Sequence, residues 1–353
     1  MARPDRPDDA LSPREREVLA CVVQRFIDTA APIGSRALAE DFDLSSASIR
    51  ATMGELEKAG YLGHPHTSAG RVPTDQGYRT YVDELMDVTG LSAAEAELLR
   101  DSVRRRLGDL DAVARETSRL LGRLAGLLGV VVTPRLSTGV LERIEVVQLA
   151  PSRVLFVLAL RGGLARTLTA EADAEIDPAT LDGVVRRLNE RLAGLTLAEI
   201  RRTGPERVHD LAPDDRSGLV RLVLRDASAL FREAHAAGRA RIGGAQHLVT
   251  QPEFSRPELV RDVVELAENE EVVVHLLERP TLVDPSAPER SVVLIGREVA
   301  HPAAADGYSV VTAPYHVGEA AGAVAVIGPT RMDYARAVAL VEFVAGLLSR
   351  TPD

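Results

Sequence analysis

The sequence predicts an α+β protein with a small helical domain at its N-terminus and a mixed sheet domain behind it. Three short, capped helical segments followed by a hairpin pattern lie within residues 1–88. Beyond Pro134, six short apolar runs with period two indicate strands, in two groups of three. The stretch between the groups is mostly helical, which predicts a subdomain inserted into the sheet domain.

The composition is typical of a globular protein from a reducing compartment. Hydrophobic residues make up 45 % of the chain, and no apolar run reaches the roughly 18 residues that a membrane span needs. The first residues lack the apolar core of a signal peptide, and the single cysteine, Cys21, has no disulfide partner. We therefore expect a cytoplasmic protein without a membrane partner.

The charge balance argues against a broadly basic surface for nucleic acid. The formal net charge is −10, and residues 12–82 contain eight basic and nine acidic side chains. Lys58 is the single lysine, so arginine carries nearly all the positive charge. Because arginine binds phosphate and guanine in a bidentate manner, a local nucleic-acid contact is still possible.

Local signals define the elements of the N-terminal domain. Residues 12–15 (SPRE) combine an N-cap, a proline at the first helical position and a capping-box glutamate, so a first helix begins there and ends near Thr29. Gly34 begins a short second helix, and a tight turn at Asp43 leads into a third helix that Gly60 ends. Short helices joined by tight turns predict a helix-turn-helix.

A hairpin follows the third helix. Tyr61 and Leu62 begin a strand that Pro65 limits to a sheet edge, and the chain returns at Arg71 after a turn at residues 68–70. The tip is almost free of apolar residues, whereas apolar side chains crowd on both sides of it. The pattern predicts a wing.

The third helix and the wing carry the candidate DNA-binding residues. Small and hydroxyl side chains let the start of a helix enter the major groove, where an arginine one turn later reaches guanine. No carboxylate lies three or four residues from Arg50, so no helical ion pair accounts for it. At the wing, hydroxyls and a second arginine suit phosphate contact. The candidates are Ser46, Ser48, Arg50, Thr67, Ser68 and Arg71.

Both segments also have a purely structural interpretation. Serines at the start of a helix commonly act as caps, and an exposed arginine is commonly solvated surface. The wing tip is described equally well as a solvated hairpin.

Helices connect the first domain to the sheet domain. Thr74 caps a fourth helix, and Ser92 with Glu95 forms a capping box for the first of two further helices that run to about Leu128. Thr330 is the predicted N-cap of the last helix. The predicted divisions are a DNA-binding domain at 1–88, a helical connector at 89–129, a sheet domain at 130–173 and 251–353, and an inserted domain at 174–250.

The sequence gives little support to an enzyme. Cys21 lies in an apolar helical stripe, where a thiol is usually a small buried hydrophobe. His64 and His66 flank a proline and have no accompanying cysteine pair, and residues 241–244 lack the ending of a phosphate loop. We predict no catalytic residues, no cofactor and no metal.

Long segments of the chain resemble the HrcA family of heat-inducible transcription repressors. The most specific are PIGSRALAEDFDLSSASIRATMGELEKAGYLGHPHTSAGRVPTDQGYRTYVD at residues 32–83, GGAQHLVTQPEF at 243–254 and GAVAVIGPTRMDY at 322–334. The resemblance covers nearly the whole chain. One departure is Ala51, where the family usually has asparagine, so no base contact is transferred to that position.

The resemblance implies a winged-helix domain, a GAF-like domain and an inserted dimerising domain. It further implies a homodimer that represses chaperone operons by binding an inverted-repeat operator, with its active form maintained by a GroEL-type chaperonin. Two other functions stay open. One is a repressor of metabolic genes with a small effector in the GAF-like domain, and the other is a winged-helix protein-interaction module without a DNA partner.

By the same resemblance, dimerisation is assigned to the inserted segment. Apolar residues recur there at helical spacing, at Leu181, Val184, Val185, Leu188 and Leu192. Val185 and Leu188 are the predicted dimer contacts. The alternative is that this stripe packs only against the sheet of its own chain.

Overall fold

The computed structural model describes residues 11–42, 44–65, 70–104, 110–172, 175–212, 215, 218–230, 240–255, 261, 265, 268–281, 291–299 and 307–349. Within these residues the protein is a mixed α and β structure, as the sequence predicts. No described helix is both long enough and apolar enough to cross a membrane.

The described residues from 11 to 85 form what we call the N-terminal unit. Its elements are α1 (Pro13–Thr29), α2 (Ser35–Ala39), α3 (Ser46–Lys58), β1 (Leu62–Gly63), β2 (Val72–Pro73) and α4 (Asp75–Thr80), followed by a wider helical turn at Tyr81–Leu85. Its core is mainly aliphatic, and Leu19, Ile49 and Leu56 are almost completely buried in it. Arg71 pairs through its backbone with Ile33 in the link between α1 and α2, so the hairpin is attached to the helices.

Side-chain caps begin these helices where the sequence predicts them. The Ser12 hydroxyl accepts from the Glu15 amide, and the Glu15 carboxylate accepts from the Ser12 amide. Ser45 and Thr74 cap α3 and α4 through their hydroxyl groups. Gly60 follows α3 with a left-handed φ of 85°. The predicted starts of α1, α3 and α4 are confirmed.

The rest of the described chain contains eight strands and eight helices. In chain order they are α5 (Ala93–Arg104), α6 (Leu110–Ala125), β3 (Leu128–Val132), β4 (Leu141–Ala150), β5 (Arg153–Leu160), β6 (Ala165–Glu171), α7 (Pro178–Leu192), α8 (Leu197–Val208), α9 (Leu219–Leu230), β7 (Ala240–Gly243), α10 (Ala245–Leu248), α11 (Glu270–Thr281), β8 (Val292–Ile295), β9 (Tyr308–Val317), β10 (Ala320–Pro329) and α12 (Tyr334–Ser349). Short 3₁₀ turns lie at Leu136–Thr138, His209–Leu211, Pro252–Ser255 and Gly296–Glu298.

The strands form two separate antiparallel sheets in addition to the hairpin. The five-stranded sheet has the order β7-β3-β10-β9-β8, and β4-β5-β6 form a three-stranded meander. The prediction of one mixed sheet for both groups of strands is wrong. Because short turns join β4, β5 and β6, these strands pair with each other at little cost in loop entropy.

Strands β3 and β7 complete the five-stranded sheet, and neither was among the six predicted strands. The helix predicted to run to Leu128 ends at Ala125, and Gly126 turns the chain with a φ of 67°. Leu128 is then the first residue of β3. Since every residue of β3 is buried, its apolar run lacks the alternation that marks a half-buried strand.

Helix α6 lies directly on β3 and β7, with backbone against backbone. A Cβ atom at Gly129 would come within 2.3 Å of the Ser118 carbonyl oxygen, and one at Gly243 within 2.6 Å of the Arg119 Cα. Glycine is therefore the residue that fits at these crossing points. Helix α12 packs against β9, β10 and α6, and α5 contacts both helices.

Helix α12 begins later than predicted. The carboxylate of Asp333 accepts from the Arg336 amide at 3.0 Å and so caps the helix. The Thr330 hydroxyl is buried without a hydrogen-bond partner among the described residues. The prediction of Thr330 as the N-cap is wrong because the turn at residues 331–333 separates it from the helix.

The apolar stripe of α7 packs inside its own chain. Leu188 is 0 % exposed, and Val185 is only partly buried but packs against the same core. The prediction that both residues contact a second copy is wrong for Leu188, because α7 lies on β4 and covers that face itself. The buried part of the stripe thus packs within its own chain, whereas the dimer contact predicted for the partly exposed Val185 stays a prediction. The buried members of the stripe are Leu181, Val184, Leu188 and Leu192.

Asn189 joins α7 to the edge of β4. Its amide nitrogen donates to the Ile144 carbonyl at 2.9 Å, and its amide oxygen accepts from the Ile144 amide at 2.7 Å. One side chain thus satisfies two backbone groups that a neighbouring strand would otherwise pair.

The capping box of α5 predicts a pH-dependent contribution to stability. Hydrogen bonds from the Ser92 hydroxyl, with Arg336 as the next contributor, lower the pKa of Glu95 from 4.5 to about 2. Because the pKa is lower in the folded state, the ionised carboxylate stabilises the fold above about pH 4.5, and this contribution is lost as the pH falls toward 2. We expect Glu95→Gln to lower the unfolding free energy at pH 7 and to have a smaller effect at pH 3.

Urea unfolding at pH 7, 4.5 and 3 measures this difference. The matched control is Glu97→Gln, which changes an exposed carboxylate on the same helix. At pH 7, Glu97→Gln should lower the unfolding free energy less than Glu95→Gln does. An effect of Glu95→Gln that does not change between pH 7 and pH 3 contradicts the assignment.

Candidate nucleic-acid interface

A groove lined by three arginines runs along the start of α3. It has a volume of about 500 Å³ and lies between α2, α3 and the returning strand of the hairpin. Its lining includes Arg36, Arg50 and Arg71, together with Ser46. In a domain without a basic surface overall, this is a local concentration of positive charge.

Two of the three guanidinium groups are available to a ligand. Arg50 and Arg36 are exposed, and neither forms an ion pair or a side-chain hydrogen bond with any residue that the structure describes. For Arg50 this confirms the prediction made from its helical neighbours. Arg36 was not among the predicted residues, and Glu40, four residues later, has the spacing of a helical partner. That pair is not among the ion pairs of the described chain, since α2 already ends at Ala39.

The start of α3 is small and partly accessible, as a groove-binding helix requires. Ser45 is the cap, and Ala47 is exposed. Ser46 lines the groove and is partly exposed. The Ser48 hydroxyl accepts from Arg14 at 2.7 Å, which brings another exposed arginine from α1 to the same end of α3. Four arginines therefore surround the first turn of α3 or the groove beside it.

The guanidinium of Arg71, a candidate for phosphate contact, is already occupied by other side chains. Its Nε donates to Glu57 at 2.9 Å, and its Nη1 donates to His64 Nδ1 at 2.7 Å. The side chain of Arg71 is 22 % exposed. The wing arginine is therefore paired, because the fold brings Glu57 close to it although the two residues lie 14 positions apart in sequence. Thr67 and Ser68 lie outside the described residues, and the structure says nothing about them.

The surroundings of Cys21 favour the neutral thiol. Burial, followed by the hydrogen bond to Asp41 at 3.4 Å, raises the pKa of the Cys21 thiol above its ordinary value. A raised pKa lowers the thiolate fraction on which nucleophilic reactivity depends. Asp41 is held by an ion pair with Arg25. Within the described residues, no group of three or more His, Cys, Asp and Glu side chains could hold a metal ion.

Comparisons with known proteins agree on one family. The family model described as "HrcA protein C terminal domain" matches residues 111–338. A heat-inducible transcription repressor HrcA from Prosthecochloris aestuarii is 41 % identical over 351 residues, covering 97 % of each chain. One from Chlorobium phaeobacteroides strain BS1 is 41 % identical over 350 residues, covering 97 % of this chain and 98 % of that protein. The chain belongs to the HrcA family.

A solved structure supports the fold over the same length. It is described as a hypothetical protein, and it superposes with a TM-score of 0.63 at 24 % identity. The match covers 96 % of this chain and 98 % of that one.

The Arg71 contacts predict that this arginine stabilises the N-terminal unit. Arg71→Ala leaves Glu57 without its cation, and we expect a loss of about 1 kcal/mol in unfolding free energy, a typical value for a charged hydrogen bond that is partly exposed. A double-mutant cycle with Glu57→Ala isolates the interaction in chemical denaturation experiments. Glu55→Ala is the control, because Glu55 pairs with the exposed Lys58 and not with the hairpin. Additive effects of Arg71→Ala and Glu57→Ala would contradict the pairing.

Proposed function

We propose that the protein is a heat-inducible transcription repressor that binds operator DNA through a winged helix-turn-helix. In this proposal α3 is the recognition helix and the hairpin β1–β2 is the wing. The observation that carries the proposal is the groove with two unpaired arginines, Arg36 and Arg50, beside the small-residue start of α3. The names of the relatives favour a heat-shock repressor over a repressor of metabolic genes.

The candidate residues divide into direct and indirect roles. Arg50 and Ser46 face the groove and suit base or phosphate contact in the major groove. Arg36 adds a phosphate contact at the edge. Since Arg71 is already bound to Glu57 and His64, its effect on DNA binding is to hold the wing against α3. Ser48 acts together with Arg14, and Thr67 and Ser68 remain proposed contacts of the wing tip.

We further propose a homodimer that binds an inverted repeat, with the three-stranded sheet as the dimer contact. One face of this sheet is covered by α7, and side chains alternate between the two faces of a strand. The opposite face is open and carries an apolar patch among polar residues: Val147 is 49 % exposed and Leu149 is 48 % exposed. On the neighbouring strand β5, Leu155 lies opposite Val147 and Val157 lies opposite Glu145, and both extend this apolar patch. Exposed apolar faces of this kind are typical of subunit contacts.

The proposed domain division follows the strand pairing. The five-stranded sheet with α5, α6 and α12 corresponds to a GAF-like domain. The meander β4–β6 with α7, α8 and α9 corresponds to the inserted dimerising domain. Its separate pairing supports an insertion that begins near Gly139 instead of near residue 174. In this proposal the protein has no catalytic activity.

The proposed regulation involves a GroEL-type chaperonin that maintains the active repressor. Binding to a fluorescently labelled inverted repeat, measured by anisotropy before and after a heat step, tests it. Chaperonin added after heating should restore operator binding, and an excess of unfolded protein should prevent that restoration. Equal recovery with and without chaperonin would contradict this regulation while leaving DNA binding intact.

Arg50→Ala should weaken operator binding strongly. Loss of a guanine contact costs on the order of 1 to 3 kcal/mol of binding free energy. Arg36→Ala, which removes a phosphate contact, should lower the slope of log affinity against log salt concentration by roughly one. Anisotropy titrations at several salt concentrations measure both effects. Arg123→Ala is the matched control, because Arg123 is an exposed arginine on α6. Wild-type affinity for Arg50→Ala would show that this face of α3 does not contact DNA.

Val147→Asp combined with Leu149→Asp should give a folded monomer. Both side chains are about half exposed in the single chain, so their replacement leaves the core intact, whereas two carboxylates would have to be desolvated in the proposed contact. Sedimentation velocity at micromolar concentration measures the change. Val88→Asp with Leu98→Asp is the matched control, since these residues are 48 % and 42 % exposed outside that sheet. A dimer that survives the first pair of changes would place the contact elsewhere.

A further inference from the structure

Parts of the three segments that resemble the HrcA family meet at one place, away from the arginine groove. They are PTDQGYR at residues 73–79, TQPEF at 250–254 and GPTRMDY at 328–334. They lie where the N-terminal unit contacts the five-stranded sheet and α12. We call this contact the joint and define it by Ile27, Asp75, Tyr78, Arg79, Gln251, Glu253, Glu298, Arg331 and Tyr334.

Arg331 is the central residue of the joint. Its Nε donates to Glu253 at 2.5 Å, its Nη2 donates to Gln251 at 2.9 Å, and its Nη1 donates to the backbone carbonyl of Ile27. The side chain is only 11 % exposed. All three nitrogens of one planar group are therefore used, which leaves the guanidinium a single orientation.

The acceptor at Ile27 lies in the last turn of α1. Carbonyls in a last helical turn have no partner within the helix, and a cation is favourable there. The last turn of α1 contains no basic residue of its own, so Arg331 supplies that cation from the other end of the chain. Because α1 packs directly on α3, fixing the end of α1 also fixes α3.

Arg79 makes a second directional contact, from the N-terminal unit toward the sheet. Its guanidinium pairs with Glu298 through two nitrogens, and its Nη2 also donates to the Val293 carbonyl at 2.6 Å. Asp75 accepts from the Arg297 amide at 3.4 Å. The two arginines act in opposite directions across the joint, one from each side.

Between these polar contacts lies a buried aromatic pair. The rings of Tyr78 and Tyr334 are 5.8 Å apart at an angle of 53°, and the Tyr334 hydroxyl donates to the Thr330 carbonyl at 2.7 Å. At the rim the Asp75 side chain lies directly against Gly296, where a Cβ atom would be 2.4 Å from its carboxylate. The joint is thus closely packed as well as hydrogen-bonded.

We propose that Arg331 is a positioning residue for operator recognition, one that holds the N-terminal unit at a fixed angle to the five-stranded sheet. A buried ion pair contributes little net adhesion compared with apolar packing, but its hydrogen bonds are directional. A dimer that contacts two half-sites needs its two recognition helices at a set separation and angle. The joint supplies that constraint in each subunit. This inference rests on the proposed binding of an inverted repeat by a dimer.

The test uses the full chain with Arg331→Met, which keeps the apolar stem and removes the guanidinium. Affinity is measured for the full inverted repeat, for repeats with one or two base pairs added to or removed from the spacer, and for an isolated half-site. We expect at least about a tenfold loss on the native spacer, because linked binding is lost, with half-site affinity unchanged within about twofold. The affinities of Arg331→Met for the different spacer lengths should differ less than those of the wild type.

A measurement without DNA makes the joint testable by itself. In a Cys21→Ser background, spin labels at Glu17→Cys and Glu319→Cys report the distance between α1 and the β9–β10 turn. Both positions are exposed. Arg331→Met should broaden this distance distribution. A distribution as narrow as that of the parent overturns the proposal.

Two further variants separate positioning from general stability. Arg336→Met, also on α12, removes contacts to Glu95 and the Leu124 carbonyl but none to the N-terminal unit. It should lower the melting temperature without changing the spacer preference. Arg331→Lys keeps the charge, and it should fold and show an intermediate spacer preference if Arg331→Met does not fold.

The outcomes distinguish this inference from the proposed function. Equal losses on half-site and full repeat, or an unchanged spacer preference, overturn the positioning role while leaving operator binding intact. A wild-type protein that binds no inverted repeat overturns the proposed function and the inference together, whatever the label distances show.

Discussion

Helix α6 crosses β3 and β7 with no side chain between the backbones. This contact exists because glycine occupies positions 129 and 243, where a Cβ atom would overlap the helix backbone. The close approach fixes the height and direction of α6 on the sheet, and α12 and α5 then pack beside it. Since Arg331 lies three residues before the start of α12, its proposed role in orienting the N-terminal unit depends on a crossing point in a different part of the fold.

Local chemistry made the helix boundaries of the N-terminal unit predictable. Ser12, Ser45 and Thr74 act on amides three residues away, so the caps and their partners are adjacent in sequence. The apolar stripe of α7 was predictable as well, but not what covers it. Periodicity shows that Leu188 is buried, whereas the identity of the covering surface is a property of the tertiary fold.

The candidate site shows the same limit. For Arg50 the sequence excluded a helical ion pair, because no carboxylate lies three or four residues away, and no other described element supplies one. Arg71 is paired although it was a candidate for phosphate contact, and Arg36 was not among the predicted residues. Glu57 reaches Arg71 through the hairpin, and Glu40 does not pair with Arg36 although the spacing suits a helix. Because the chain has a single lysine, arginine supplies both the structural ion pairs and the cations that are free to bind a ligand. The residue type therefore does not distinguish these two roles.

Asn189 has a consequence for how the chain behaves when it is warmed. Strand β4 is an edge strand of the three-stranded sheet, and exposed strand edges recruit strands from other chains and start aggregation. At Ile144 that edge is occupied by a side-chain amide that donates and accepts as a neighbouring strand would. The proposed loss and recovery of operator binding on heating would take the chain through loosened states. Edge groups that are already satisfied at Ile144, and at Leu141 by Gly194 and Leu195, give those states less opportunity to associate irreversibly.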